Sequence, residues 1–177
     1  MLLAHIALGA NLPSPAGPPD ATLAAALEQI AKLGRITARS SLYSTEPVGF
    51  ADQPRFLNAV IAVETDFAPH PLLDALLSIE RVFGRDRSTS VPNGPRSLDL
   101  DILLYGDLVL TEPALEIPHP RLAERAFVLV PLTEIAPDLR MPPSGLTAAQ
   151  LLANLPHANE LLAPAVLPIQ SSLWRTE

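Results

Sequence analysis

Apolar positions along the chain fall into runs of strand length and stretches of helical spacing. LLAHIAL over residues 2–8 reads as a short buried strand. The loop NLPSPAGPP follows, and Asp20 is placed to cap a helix over ATLAAALEQIAKL that Gly34 ends. ITARSSLY, residues 36–43, predicts a second strand, and STEPVGFADQPR after it is dense in turn formers. FLNAVIAVETDF, rich in Val and Ile, predicts a third. Pro69 or Pro71 then opens a helix over LLDALLSIERVF, with Leu72, Leu73, Leu76, Leu77, Ile79 and Phe83 on a broad apolar side and Gly84 at its end.

The loop RDRSTSVPNGP runs from Arg85 to Pro95, ahead of a strand from Asp99 to Tyr105. Gly106 and Asp107 predict a turn into the hairpin partner LVL. EIPHPRLAERAFVLVPLTEIAP predicts one or two short helices and LTAAQLLANL another, while APAVLPIQSSLWRTE has no clear pattern. The order strand–helix–strand–strand–helix–strand is that of a ferredoxin-like α+β core, an antiparallel sheet flanked by helices. No repeat or long linker divides the chain, so residues 1–160 read as one domain and 161–177 as a C-terminal tail of unassigned structure.

Composition narrows the function classes. A chain of 177 residues with 48% hydrophobic and 18% charged residues can bury a sizeable core. The absence of cysteine removes disulfides, thiolate metal sites and thiol nucleophiles. The apolar start meets Pro13 too soon to span a bilayer and lacks a basic flank, so a cytoplasmic protein without a membrane role is expected. A net charge of −7 argues against a nucleic-acid partner but not against a small polyanion, which feels only local charge. Lys32 is the sole lysine. An arginine bias is as compatible with genome composition as with phosphate recognition, so position has to carry the argument.

Position is informative in GPRSLDLDILLYG, residues 94–106, where a strand otherwise built for burial opens with two carboxylates. Aspartate is depleted in strands, and a buried unpaired carboxylate is costly. Asp99 and Asp101 share one face with Cβ atoms roughly 7 Å apart, Leu100, Ile102 and Leu104 take the other, and Leu103 and Tyr105 extend the aspartate face. Two hard oxygen donors at this spacing suit Mg²⁺ together with phosphates and water. Arg85, Arg87 and Arg96 lie just upstream, enough positive charge to clamp a phosphate chain. Metal-binding carboxylates beside phosphate-binding arginines point to phosphoryl transfer.

With IALGANL, STEPVGFADQPRFLNAVIAVET, IERVFGR, GPRSLDLDILLYG and IPHPRLAERAFVLVPLTEIAP in this order, the sequence resembles the 6-hydroxymethyl-7,8-dihydropterin pyrophosphokinase family from residue 3 to about 140. The resemblance implies transfer of the diphosphate of ATP to the pterin hydroxymethyl group, with release of AMP, in folate biosynthesis. It implies that Asp99 and Asp101 hold two Mg²⁺ ions, that Arg85 and Arg96 are catalytic and bracket a mobile loop, and that Glu80, Arg87, His119 and Arg125 approach the nucleotide. For the pterin it implies Phe56 and Phe127 as stacking rings, Asn58 as the amide that reads the edge, and Thr45 and Gly49 in a loop that completes the pocket. A monomer is expected.

The chain departs from the family pattern at Asn93, where many members carry tryptophan, and near Ser88, where they carry lysine. Two rival readings stay open from the residues alone. One is a nucleotidyltransferase attacking the α-phosphorus; the other is a non-catalytic ferredoxin-like module binding a small ligand.

Overall fold

The computed structural model describes residues 1–48, 52–88, 93–156 and 166–175. Its sheet is built around two neighbouring strands, β1 (Leu2–Ala10) and β4 (Phe56–Thr65), which pair antiparallel from Leu2↔Thr65 to Ala10↔Leu57. β5 (Asp99–Tyr105) lies on the other side of β1. Beyond β4, β2 (Arg35–Arg39) pairs with its C-terminal half and β3 (Leu42–Thr45) with its N-terminal end. The sheet ends in β8 (Val166–Ile169), giving the order β5-β1-β4-β3-β8 with β2 beside β4. This is the expected ferredoxin-like α+β arrangement.

Alternation sorts the side chains onto two faces. Ile6, Leu8, Ile61, Val63, Leu100 and Ile102 pack against α1 (Pro19–Ile30) and α2 (Pro69–Val82). On the opposite face, Val60, Leu103 and Leu104 meet α3 (Ala126–Ile135) and α4 (Ala148–Ala153), while the end toward Asp99 stays open.

Several local expectations need correction. A β-bulge between His5 and Ile6 places Leu104 opposite His5 but Ile102 opposite Ile6, so β5 gains one residue. Leu104 therefore joins Leu103 on the aspartate side, and Tyr105 crosses to the helix α1–α2 side. Helix α1 starts after Pro18 rather than at an Asp20 cap, because Pro19 fits its first turn, and it ends at Ile30. Gly34 serves a different purpose, since a Cβ there would lie 2.2 Å from the carbonyl oxygen of Glu64.

The single strand expected over 36–43 divides at Ser40, which exchanges bonds with Val60: its amide donates to the Val60 carbonyl and its hydroxyl accepts from the Val60 amide. LVL is not a partner of β5. Instead β6 (Leu110–Glu112) pairs with β7 (Leu115–Ile117) in a separate hairpin. In the last stretch, β8 adds an edge strand and Trp174 is buried against the α1 side of the sheet.

Candidate active site

The open end of the α3 face is a cavity of about 240 Å³ bounded by β1, β3, β4, β5 and the start of α3. Its floor follows from strand register. Gly9 lies between Asn58 on β4 and Asp99 on β5, and Ala7 pairs with Asp101. A Cβ on Gly9 would stand 2.9 Å from Asn58 Oδ1 and 3.9 Å from Asp99 Cβ, so glycine keeps open the space between amide and carboxylate.

The two aspartates have different surroundings. Asp99 accepts from Arg85 at 2.9 Å and Arg96 at 2.7 Å, with Arg87 at 3.9 Å. Asp101 has no hydrogen bond or ion pair among the described residues. Burial and the neighbouring Asp99 charge push its carboxyl up to about 6. Arg125 and Arg87 oppose this shift from beyond ion-pair distance, so the carboxylate lacks a cation in contact. Two hard oxygen donors fit Mg²⁺ that also takes phosphate oxygens. Among the described residues no group of three or more His, Asp or Glu side chains could form an all-protein cage.

The arginines are held in place by the sheet. Arg85 donates to the Leu98 carbonyl at 2.9 Å, while its buried Nε has no hydrogen-bond partner. Arg96 lies over the Phe56 ring at 5.3 Å, and Arg125 lies over Phe127 at 5.5 Å. Both aromatic faces are thus covered by guanidinium groups, in contacts a flat heterocycle could replace. In the same cavity Asn58 donates to Thr45 Oγ1 at 2.6 Å, which fixes the amide and leaves its oxygen toward Gly9. His119 lines the wall; its Nδ1 accepts from the Arg121 amide, and burial, then Arg125, lowers its pKa.

Of the residues singled out in the sequence, Thr45, Phe56, Asn58, Arg85, Arg87, Arg96, Asp99, Asp101, His119, Arg125 and Phe127 all line this cavity. Gly49 lies outside the described residues. Glu80 is not among the lining residues. It is almost wholly buried, accepts both Arg87 donors at 2.9 Å and takes the Leu100 amide at 2.8 Å. Burial raises its pKa, opposed by that amide and by Arg87. In this arrangement Glu80 positions Arg87 and the start of β5 from behind.

Sequence reasoning missed Arg121, which also lines the cavity, although it stands inside the quoted IPHPRLAER. It also missed a brace behind the site. Asn11 accepts from the Arg96 amide at 2.8 Å and donates to Gln53 Oε1 at 2.9 Å and the Pro54 carbonyl at 3.0 Å. Gln53 in turn donates to the Asn93 carbonyl at 2.8 Å, and Asn93 has φ 57. A buried asparagine just past an apolar strand was the available signal.

Chemistry that needs many fixed charges and little covalent machinery is phosphoryl transfer, and the cleft defines an enzyme of that class. Comparison with known proteins narrows it. The family model described as 7,8-dihydro-6-hydroxymethylpterin-pyrophosphokinase (HPPK) matches residues 5–137. The chain is 48% identical over 154 residues to the 2-amino-4-hydroxy-6-hydroxymethyldihydropteridine pyrophosphokinase of Pseudomonas aeruginosa, covering 86% of this chain and 91% of that one. To the enzyme of the same name from Methylorubrum extorquens it is 44% identical over 157 residues, covering 88% and 94%.

Among solved structures, wild-type Plasmodium falciparum HPPK-DHPS superposes with a TM-score of 0.68 at 17% identity, a likeness of fold. That match covers 86% of this chain but only 44% of the longer one. The chain belongs to the 7,8-dihydro-6-hydroxymethylpterin-pyrophosphokinase family.

Proposed function

We propose that this protein transfers the diphosphate of ATP to the hydroxymethyl oxygen of 6-hydroxymethyl-7,8-dihydropterin, releasing AMP, as a step of folate biosynthesis. The observation that carries the reading is the single cleft in which paired carboxylates and arginines adjoin two aromatic faces and a fixed amide. In this reading Phe56 and Phe127 exchange their guanidinium covers for the pterin ring, and Asn58 reads its edge with both donor and acceptor capacity.

Arg85 and Arg96 neutralise charge on the transferring phosphates, with Arg87, His119, Arg121 and Arg125 along the nucleotide path. Asp99 and Asp101 would hold two Mg²⁺ ions, which supply charge neutralisation and orientation of the triphosphate. Burial and fixed donors do the rest, since the reaction needs alignment more than a strong base. The reading includes action as a monomer in the cytoplasm. No helix among the described residues is long and apolar enough to cross a membrane.

The test is incubation with ATP, Mg²⁺ and the dihydropterin, with products separated. AMP and a pterin diphosphate are expected. Pyrophosphate with a pterin–AMP ester would instead make the protein a nucleotidyltransferase, and no turnover would make it a binding module.

A further inference from the structure

Residues 166–175 lie beyond the stretch matched by the family model, which ends at 137, yet they are built into the sheet. β8 pairs with the whole of β3, from Leu42↔Ile169 to Thr45↔Val166. After the strand, Ser171 Oγ donates to Asp20 Oδ2 in the first turn of α1 at 2.9 Å. Trp174 then buries its ring in the core, donates from Nε1 to the Ser40 carbonyl at 2.8 Å and lies under the Arg39 guanidinium at 5.4 Å. The segment thus grips β3 along its outer edge, the β2–β3 junction from beneath, and α1 from the side.

What it grips matters for the cleft. β3 is only four residues long and ends at Thr45, whose hydroxyl accepts from the Asn58 amide, and Glu46 and Val48 just beyond it line the cavity. Without β8, β3 would be a short edge strand bonded on one side and carrying a functional loop, the kind of element that opens locally. No residue of 166–175 lines the cavity, so any effect on it is indirect; β3, paired along its whole length, is the main route, and β8 also touches α3.

We infer that the C-terminal segment, anchored by Trp174, is a positioning element for the pterin side of the site: it holds β3 so that Thr45 fixes Asn58 and so that Glu46 and Val48 keep their place in the cavity wall. The nucleotide side, built on β5 and the segment from His119 to Arg125 that precedes α3, does not depend on it. This rests on the assignment of the Thr45–Asn58 region to the pterin.

The test uses the full-length protein with Trp174→Ala, and with Trp174→Phe, which keeps a buried ring but removes the N–H. Trp174→Ala should raise the KM for the dihydropterin about tenfold, as expected for a misplaced hydrogen-bonding group. The KM for ATP and kcat should stay near the wild-type values. Trp174→Phe should shift the pterin KM in the same direction by less. Amide hydrogen exchange should quicken in β3 and through Val48 while β1 and β5 keep their protection.

Unchanged exchange in β3, or equal changes in KM for both substrates, would overturn the inference. Should Trp174→Ala fail to fold, Trp174→Phe and Ser171→Ala decide on the same two readouts. A wild-type protein that turns over no ATP with the pterin would overturn the assignment of function. The exchange measurement would still decide whether the segment holds β3.

Discussion

The two faces of the sheet use the same strands to opposite ends. On the α1–α2 face, Ile6, Leu8, Ile61, Leu100 and Ile102 are sealed by helices in an apolar cluster. One residue away along the same strands, Ala7, Gly9, Asn58, Asp99 and Asp101 face a cavity. The sealed face supplies burial energy without specificity. The open face gathers carboxylates, arginines and a fixed amide in place of apolar burial, and it can do so because the strands beneath are held from behind. Stability and chemistry are therefore separable by single substitutions, residue against next residue.

Breaking the sealed face should have the largest energetic effect. Leu100→Ala, between the two aspartates but pointing the other way, should cost about 2–5 kcal/mol of folding stability. Denaturant unfolding measures this. The change in kcat per folded molecule should be much smaller than for the flanking aspartates, whose replacement by Ala should nearly abolish turnover.

Breaking the open face should do the reverse. Arg96→Ala removes a donor to Asp99 and the cover of Phe56, and kcat should fall on the order of 10²–10³. Arg85→Ala should fall in the same range, and Arg87→Ala less, since Glu80 holds Arg87 back from Asp99. Steady-state kinetics with each substrate varied separately checks this. A higher KM for ATP with unchanged kcat would mean the arginines only anchor the ground state.

A smaller effect is expected at Asn58, which in the proposed reading faces the pterin. Asn58→Ala should weaken pterin binding by roughly 1–3 kcal/mol and leave ATP binding intact. Calorimetry with each ligand separately would show it; equal losses would indicate a collapsed β4 end.

How far the sequence showed this division depends on the range of the signal. The succession of the main strands and helices follows from local periodicity. So does the placing of Asp99 and Asp101 together, because two residues on a strand share a face. The fate of Leu104 and Tyr105 was not legible, since the bulge beside His5 depends on pairing between distant strands. Nor was the role of Glu80, because an acidic residue on an apolar helix reads the same whether it faces solvent or a buried arginine. The arginine covers on Phe56 and Phe127 and the Asn11–Gln53–Asn93 brace join segments far apart in the chain. So does the insertion of Trp174 beneath Ser40. Only the folded chain brings these together.

The finest contrast lies between the two aspartates themselves. Asp99 is the counter-charge for the well-buried Arg85 and for Arg96, so Asp99→Asn should destabilise the metal-free protein by leaving guanidinium charge uncompensated. Asp101 is its opposite. Burial and Asp99 raise its carboxyl from 3.8 to about 6, so the folded state favours the protonated form. The stabilising contribution of that proton is fully present below 3.8 and is lost as pH rises through about 6. Asp101→Asn cannot ionise, and in Mg²⁺-free buffer it should be more stable than the wild type at neutral pH. The gain should be on the order of 1 kcal/mol or more. It should shrink toward zero as pH falls through the same window. Burial holds His5 down to about 4, which gives the wild type the opposite slope as pH falls, but that contribution is common to both proteins and cancels in the difference. Thermal melts of the pair from pH 4 to 8 measure it. A difference that does not change with pH would mean that Asp101 already has its cation within the fold, and the two aspartates would then be alike.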